Sequence, residues 1–392
     1  MKSKIVYTLV FMFALSTANG QSVEYFVDLA KENHPQIKAE ELRLKAIRKQ
    51  EGQMTTWQDP VLSGAYNVVP GSMEKYSVSL MQNFSWFGTG KQQRAAARMA
   101  AESAVVGLMA LEKQLELQVS LLYLQVKEIE EEIILQEEMK NLYERLENLA
   151  TNRLSSAQGS MIDVIRAEMA KENSVLESKS LQQRKIIAVQ SLNEFVGRER
   201  EAEVKTEEVT SVVLKEETGL SLHPEVAVYD SRIEENRMRI EAIRKESLPQ
   251  WGIGVDYMKM EPDRDEFMPM LSISLPIFRN KYKARIAEAE LLSEAYEFEK
   301  KWSVQKLSTE RIRLRNEILQ LELEKEVFEA QIKKAERAGE LMLNYYSTSG
   351  QDFQELLRIQ QEELGYKQQL IQTENRLLRL IKEWEYFTVL KN

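Results

Sequence analysis

Histidine most often supplies acid–base or metal chemistry near neutral pH, and this 392-residue chain has two histidines. Both stand directly before a proline, as His34-Pro35 and His223-Pro224. The chain has no cysteine, so an ordinary zinc site or a thiol nucleophile would lack its usual ligands. The sequence also has no nucleophile elbow and no phosphate-binding loop. We therefore predict a protein that is not an enzyme, with no metal site and no cofactor.

Methionine thioethers are the other candidate ligands, because they suit Cu(I). Met258, Met260, Met268 and Met270 flank a predicted hairpin, and its alternation puts Met258 and Met270 on the polar face. Methionine is also an ordinary apolar filler. Both interpretations of these side chains stay open.

Long helices must position these residues. No proline lies between Pro70 and Pro224, and none follows Pro276, whereas a proline inside a helix costs about 3 kcal/mol. From about Lys91 to Leu149 the apolar residues recur every three or four positions, which predicts an amphipathic helix roughly 90 Å long. A similar helix follows Pro276. Serine- and glycine-rich breaks predict helix turns, here called tips, at about 153–161 and 346–353.

The two histidines are 189 residues apart, and so are Pro60 and Pro249. This spacing predicts a tandem duplication, with a first repeat over 21–205 and a second over 206–392. Each repeat contains two runs with period-two alternation, which is typical of half-buried strands. The predicted strands are about 61–69, 75–85, 250–259 and 267–277.

The N-terminus has the pattern of a secretory signal peptide over residues 1–20, with Lys2 and Lys4 before an apolar run and small residues after it. The net charge of −9 argues against nucleic acid as a partner. No later segment is apolar for long enough to predict a transmembrane helix.

The chain resembles the TolC-like outer membrane efflux protein family over nearly all of the sequence after the signal peptide. The resemblance rests on five segments, which are Asn33-His34-Pro35, Asp59-Pro60, residues 80–97, residues 272–285, and the first tip with Asp163-Val164-Ile165.

The resemblance implies a homotrimer in the outer membrane. Each protomer would give four strands to a twelve-stranded β-barrel continuous with a periplasmic α-helical barrel. The trimer would be the exit duct of a tripartite efflux or type I secretion system, with a periplasmic adaptor and an inner-membrane pump of the resistance-nodulation-division type. The chain departs from many members in being short and in having no cysteine to carry a lipid.

Within that architecture, the apolar strand faces would contact lipid and the polar faces would line a watery lumen. The predicted lipid-facing residues are Tyr76, Val78, Leu80, Phe84, Trp251, Ile253, Val255, Tyr257, Leu271, Ile273 and Leu275.

The breaks supply the predicted gate and the predicted adaptor contacts. The gate candidates are Arg153, Asp163, Arg166, Tyr345, Tyr346, Asp352 and Arg358. The adaptor-contact candidates are Ser155, Gly159, Ile162, Ser347, Gly350 and Phe353. The same charges could instead be solvated groups at helix ends. At the level of the whole chain, the alternative function is a periplasmic coiled-coil adaptor or structural protein without a pore.

Overall fold

The computed structural model describes residues 21–54, 57–69, 74–207, 223–260, 264–349 and 352–388. The predicted signal peptide, Gly350 and most of both predicted hairpin turns (70–72 of the turn at 69–72 and 261–263 of the turn at 261–264) lie outside the described residues. Seven helices and four strands are described. In chain order they are α1 (Val23–Asn33), α2 (Pro35–Gln53), β1 (Val61–Tyr66), β2 (Glu74–Phe84), α3 (Thr89–Ser155), α4 (Met161–Phe195), α5 (Pro224–Glu246), β3 (Gln250–Met260), β4 (Arg264–Ser274), α6 (Asn280–Ser349) and α7 (Phe353–Phe387).

The order of the elements repeats. A proline-started helix, two strands, a helix of 67 or 70 residues and a returning helix of 35 residues follow one another twice. The predicted duplication stays a prediction at its exact boundaries, because residues 208–222 lie outside the described chain.

Both histidines cap helices. Nδ1 of His34 accepts a hydrogen bond from the backbone N–H of Gln36, and Nδ1 of His223 accepts one from Glu225. Pro35 or Pro224 follows as the first helical residue, where its missing N–H leaves no helical hydrogen bond unmade. With Nδ1 accepting, the Nε2–H of His223 donates to the carbonyl of Tyr386 at 2.9 Å. The histidine–proline pairs are therefore helix-start signals.

The four strands form one antiparallel sheet in the order β1-β2-β3-β4. The predicted strand ends need two corrections. β1 ends at Tyr66, three residues before its predicted end, and β4 runs from Arg264 to Ser274.

 β4 therefore lies three residues earlier than predicted at both ends. The last rung of the ladder pairs Gln250 with Ser274, and Pro276 has no N–H with which to extend it. Leu275, predicted to be a lipid-facing strand residue, therefore lies beyond the strand.

The chain divides into two compact units, which are described separately. Unit 1 comprises Met1–Lys31, Gln118–Val213 and Gln320–Arg379, and unit 2 comprises Glu32–Leu117, Leu214–Leu319 and Leu380–Asn392. Unit 2 contains the sheet. Unit 1 contains both tips and a buried core that joins α3, α4, α6 and α7.

Among the described residues, no helix combines the length and the apolar character that a membrane span requires.

Candidate functional site

One face of the sheet is apolar across all four strands. Residues that pair across an antiparallel ladder share a face, and the ladder pairs Leu80 with Leu62 and with Val255. Trp251 pairs with both Phe84 and Ile273. The predicted lipid-facing residues within the strands therefore share one face. They are Tyr76, Val78, Leu80, Phe84, Trp251, Ile253, Val255, Tyr257, Leu271 and Ile273.

Gln82 is the polar exception on the apolar face of β2. Its side-chain amide donates to the carbonyl of Gln58 at 2.6 Å and to the carbonyl of Asn83 at 3.1 Å. These two bonds satisfy the amide where the sheet meets the preceding segment, so the alternation is not broken by an unpaired polar group.

Aromatic rings lie at both ends of the apolar face. At one end Phe84 stacks on Trp251 with ring centroids 4.6 Å apart, and Trp57 meets Phe84 edge-on at 5.3 Å. At the other end the ring centroid of Tyr257 lies 6.2 Å from that of Tyr76 and 5.1 Å from that of Phe267. The eight residue-to-residue steps from Tyr76 to Phe84 correspond to about 26 Å along the strand. This matches the roughly 25 Å apolar band between aromatic girdles in membrane strands.

The opposite face is polar and partly closed by methionine. Gly252 and Gly254 lie on this face, and a Cβ on Gly254 would come within 2.6 Å of the carbonyl of Leu80 and 3.1 Å of the Met81 sulfur. The hydroxyl of Ser272 donates to that sulfur at 3.7 Å. The register adds Met81, Met260 and Met268 to the two methionines predicted for this face. Packing over the glycines accounts for Met81, and the Cu(I) interpretation stays a prediction.

The predicted gate residues Arg153, Asp163 and Tyr346 meet in unit 1, together with Ser347. We call these four residues the tip cluster. Nη1 of Arg153 donates to the carbonyl of Ser347 at 2.6 Å, and its guanidinium carbon lies 5.4 Å from the centre of the Tyr346 ring. The Tyr346 hydroxyl donates to Oδ2 of Asp163 at 3.5 Å. The end of α3, the start of α4 and the end of α6 are thereby joined.

The ring of Tyr346 is fully buried, and it lies 4.9 Å from the ring of Phe353. The pKa of Tyr346 is raised to about 12, mainly by burial and also by the Asp163 carboxylate, while the Arg153 cation opposes the shift. The hydroxyl is therefore protonated at neutral pH and remains a hydrogen-bond donor. Phe353, a predicted adaptor contact, is buried and supports the turn from inside.

Local backbone geometry holds the first tip. The Ser160 hydroxyl caps α4 by accepting from the N–H of Ile162 at 3.2 Å. A Cβ on Gly159 would lie 2.9 Å from the Cβ of Arg153 and 3.0 Å from the backbone nitrogen of Leu154. Ala157 has a φ of 58°, in the left-handed region. The turn thus needs a residue without a side chain beside Arg153.

The other gate candidates lie apart from the tip cluster. Tyr345 is 45% exposed, unlike its buried neighbour. Arg358 is paired with Glu355 and Glu362 on its own helix. Arg166, Asp352 and Arg358 line an open groove of about 560 Å³ between α4 and the start of α7. The predicted contact Ile162 is 58% exposed, whereas the Ser155 hydroxyl is turned back to the carbonyl of Asn152.

A belt of four glutamates on α3 positions the same helices, and local sequence patterns do not predict it. Each carboxylate contacts a side chain on α4 or α7, and in three of the four pairs that side chain is a cation. The pairs are Glu128 with Arg379, Glu130 with Lys185, Glu131 with Asn375, and Glu132 with Arg184. The run of acids at 128–132 was visible in the sequence, but its partners lie 52 to 251 residues away. Within the described chain, no three acidic or histidine side chains converge in a way that could hold a metal ion.

No family model and no curated protein matches the sequence. Solved structures do match. VceC, an outer membrane protein of Vibrio cholerae, has 13% identity and a TM-score of 0.74 over 93% of this chain and 95% of its own. CusC has 15% identity and a TM-score of 0.75 over 96% of each chain. The open state of the Neisseria gonorrhoeae MtrE outer membrane channel has 17% identity and a TM-score of 0.74, over 93% of this chain and 88% of its own.

These matches cover both the sheet and the helices, and they confirm the resemblance at the level of fold. The chain has the fold of the TolC-like outer membrane efflux channels.

Proposed function

We propose that the protein is the outer-membrane exit duct of a tripartite efflux or type I secretion system. The observation that carries the proposal is the one-sided apolar sheet, in phase over four strands, with aromatic rings about 26 Å apart at its two ends. A sheet of this kind suits lipid on one side and water on the other.

The duct would be a homotrimer. β1 and β4 are the edges of the sheet and have no further strand beside them among the described residues. Open edges attract other strands, and three copies pairing β4 with the β1 of a neighbour would close a twelve-stranded barrel. Large apolar side chains exposed on α4 and α6 would be covered in the same assembly. They include Ile165, Met169 and Leu176 on α4, and Leu291, Phe298 and Trp302 on α6.

The tip cluster would be the periplasmic gate of this duct. It holds three helix ends together through one buried tyrosine, so its release would let the ends of the helices separate. The groove beside it, with Arg166 on α4 and Arg358 on α7, would receive a periplasmic adaptor of a resistance-nodulation-division pump. The duct would pass small molecules or metal ions from the pump and the adaptor to the exterior.

The test is assembly and conductance of the purified full chain. Crosslinking should give a trimer, membrane fractionation should place it in the outer membrane, and planar bilayers should show discrete conductance steps. A protein that stays in the periplasmic fraction and produces no conductance would instead support the pore-free adaptor or structural role.

A further inference from the structure

The end of the sheet that carries Trp57, Phe84 and Trp251 also carries a concentration of unpaired positive charge. β2 and β4 both end there, because Phe84 and Ile273 are each paired with Trp251 at the start of β3. α3 follows β2 and α6 follows β4 after short connections. We call the surface formed by these two connections and the first turns of the two helices the collar.

The first half of the collar is a groove of about 320 Å³ lined by aromatic and basic side chains. Trp57 and Phe87 are both 75% exposed, and Lys91 and Arg94 lie beside them. The Arg94 Nε–H donates to the carbonyl of Gly90 at 3.4 Å, and the side chain is exposed. No acidic residue occurs from Phe84 to Ala101.

The second half of the collar has the same chemistry. Ile277 and Phe278 are 77% and 87% exposed, and Arg279, Lys281 and Lys283 follow at once. Nζ of Lys281 lies 4.6 Å from the centre of the Tyr282 ring. No acidic residue occurs from Leu275 to Ala287.

Few carboxylates balance these cations. Glu246 is neutralised by Arg285, whose Nη1 donates to both of its carboxylate oxygens at 2.9 Å. Asp59, just before β1, and Glu51, in the last turn of α2, are further acids that the sequence places at this end. Lys91, Arg94, Arg279, Lys281 and Lys283 are exposed, and none has an ion pair to a described residue. The collar therefore combines exposed aromatic rings with five exposed cations.

We propose that the collar binds the head groups of anionic phospholipids in the membrane leaflet that borders this end of the sheet. Aromatic rings favour the membrane–water boundary, and lysine and arginine next to it extend their charges to lipid phosphates. Each such cation increases the affinity for an anionic membrane surface roughly fivefold. The proposal rests on the membrane location given under the proposed function, and it adds a lipid class to it.

The experiment uses the purified full chain in a neutral detergent with an equimolar mixture of phosphatidylglycerol and phosphatidylcholine. Native mass spectrometry would measure which lipid each assembly retains. The wild-type protein should retain phosphatidylglycerol preferentially, and inorganic phosphate in excess should not displace it. The variant Lys91→Gln, Arg94→Gln, Lys281→Gln, Lys283→Gln should lose this preference, by roughly fivefold for each cation removed. The matched control Lys333→Gln, Lys334→Gln, with exposed lysines of α6 in unit 1, should keep it.

Conductance of the same samples separates the two proposals. A collar variant that still forms channels but has lost the lipid preference supports the lipid proposal. Equal retention of both lipids by a conducting wild-type protein would overturn it and assign the cations to a protein partner. Displacement by inorganic phosphate would overturn it in favour of a soluble anion. Absence of conductance in every sample would count against the proposed function itself.

Discussion

The hydroxyl of Tyr346 donates to the carboxylate of Asp163 at 3.5 Å, although the two residues are 183 positions apart in the chain. The tyrosine belongs to the end of α6 and the aspartate to the first turn of α4. Arg153 lies over the same ring from the end of α3. One buried side chain therefore connects three helix ends, and four of the predictions below depend on this connection or on the turn next to it.

Replacing Tyr346 with phenylalanine should favour the open channel. The substitution keeps the buried ring but removes the donor to Asp163, a hydrogen bond with a net value of about 1 kcal/mol. We expect an open probability about fivefold higher in single-channel recordings. The control is Tyr345→Phe, which changes an exposed hydroxyl on the same helix. Equal open probabilities for Tyr346→Phe and the wild type would contradict the gate assignment.

Alkaline pH should break the hydrogen bond between Tyr346 and Asp163. Burial raises the pKa of Tyr346 to about 12 from 10.0. Because the folded-state value is the higher one, the contact is fully present below pH 10 and is lost as the pH rises toward 12. Wild-type conductance should be constant from neutral pH to about pH 10 and should then increase. The Tyr346→Phe variant should lack this increase, so a parallel rise in both proteins would assign it to another group.

Replacing Arg153 with methionine should loosen the tip. Methionine keeps an aliphatic stem but removes the donor to the carbonyl of Ser347, and hydrogen bonds from charged groups contribute about 1.5–3 kcal/mol. Hydrogen exchange of the peptides around residues 153–163 and 346–349 should become faster by one to two orders of magnitude. Arg145→Met, at an exposed position of the same helix, is the control. Unchanged exchange in Arg153→Met would show that the charge does not hold the turn.

Two substitutions two residues apart should have opposite effects on the first tip. Gly159→Ala brings a Cβ against the backbone of Leu154 and should destabilise the turn by about 1–3 kcal/mol. Ala157→Gly removes a Cβ from a residue with φ of 58° and should stabilise it by up to about 1 kcal/mol. Hydrogen exchange of residues 153–163 measures both effects. Changes of the same sign would contradict the turn geometry.

Replacing Gly254 with valine should prevent the sheet from assembling. The new side chain would meet the carbonyl of Leu80, which cannot move without breaking the β2–β3 ladder, and the sulfur of Met81. We expect crosslinked trimer to be lost from the outer membrane. Ile253→Val, a smaller change on the apolar face of the same strand, should leave assembly intact. Normal assembly of Gly254→Val would require a different packing of the polar face.

Local sequence patterns predicted the helices and strands well, but they did not predict contacts between residues far apart in the chain. Period-two alternation placed Val78 and Val255 on one face because each strand carries its own pattern. The 3 to 4 residue spacing predicted the long helices for the same reason. The contact of Tyr346 with Asp163 could not be predicted, since it depends on how two helices pack, and the end of β4 depended on the rung between Gln250 and Ser274. Tyr345 and Tyr346 looked equivalent in sequence, but only one of them faces the core.

The central claim is that the sheet has lipid on its apolar face and water on its polar face. Because the chain has no cysteine, single cysteines can report on neighbouring positions without background labelling. Val78→Cys and Ser79→Cys lie next to each other in β2 on opposite faces. After reconstitution into lipid vesicles, a water-soluble maleimide should label Ser79→Cys and leave Val78→Cys unlabelled, and Val255→Cys with Asp256→Cys should repeat the pattern in β3. Equal labelling of both positions in each pair would contradict the account.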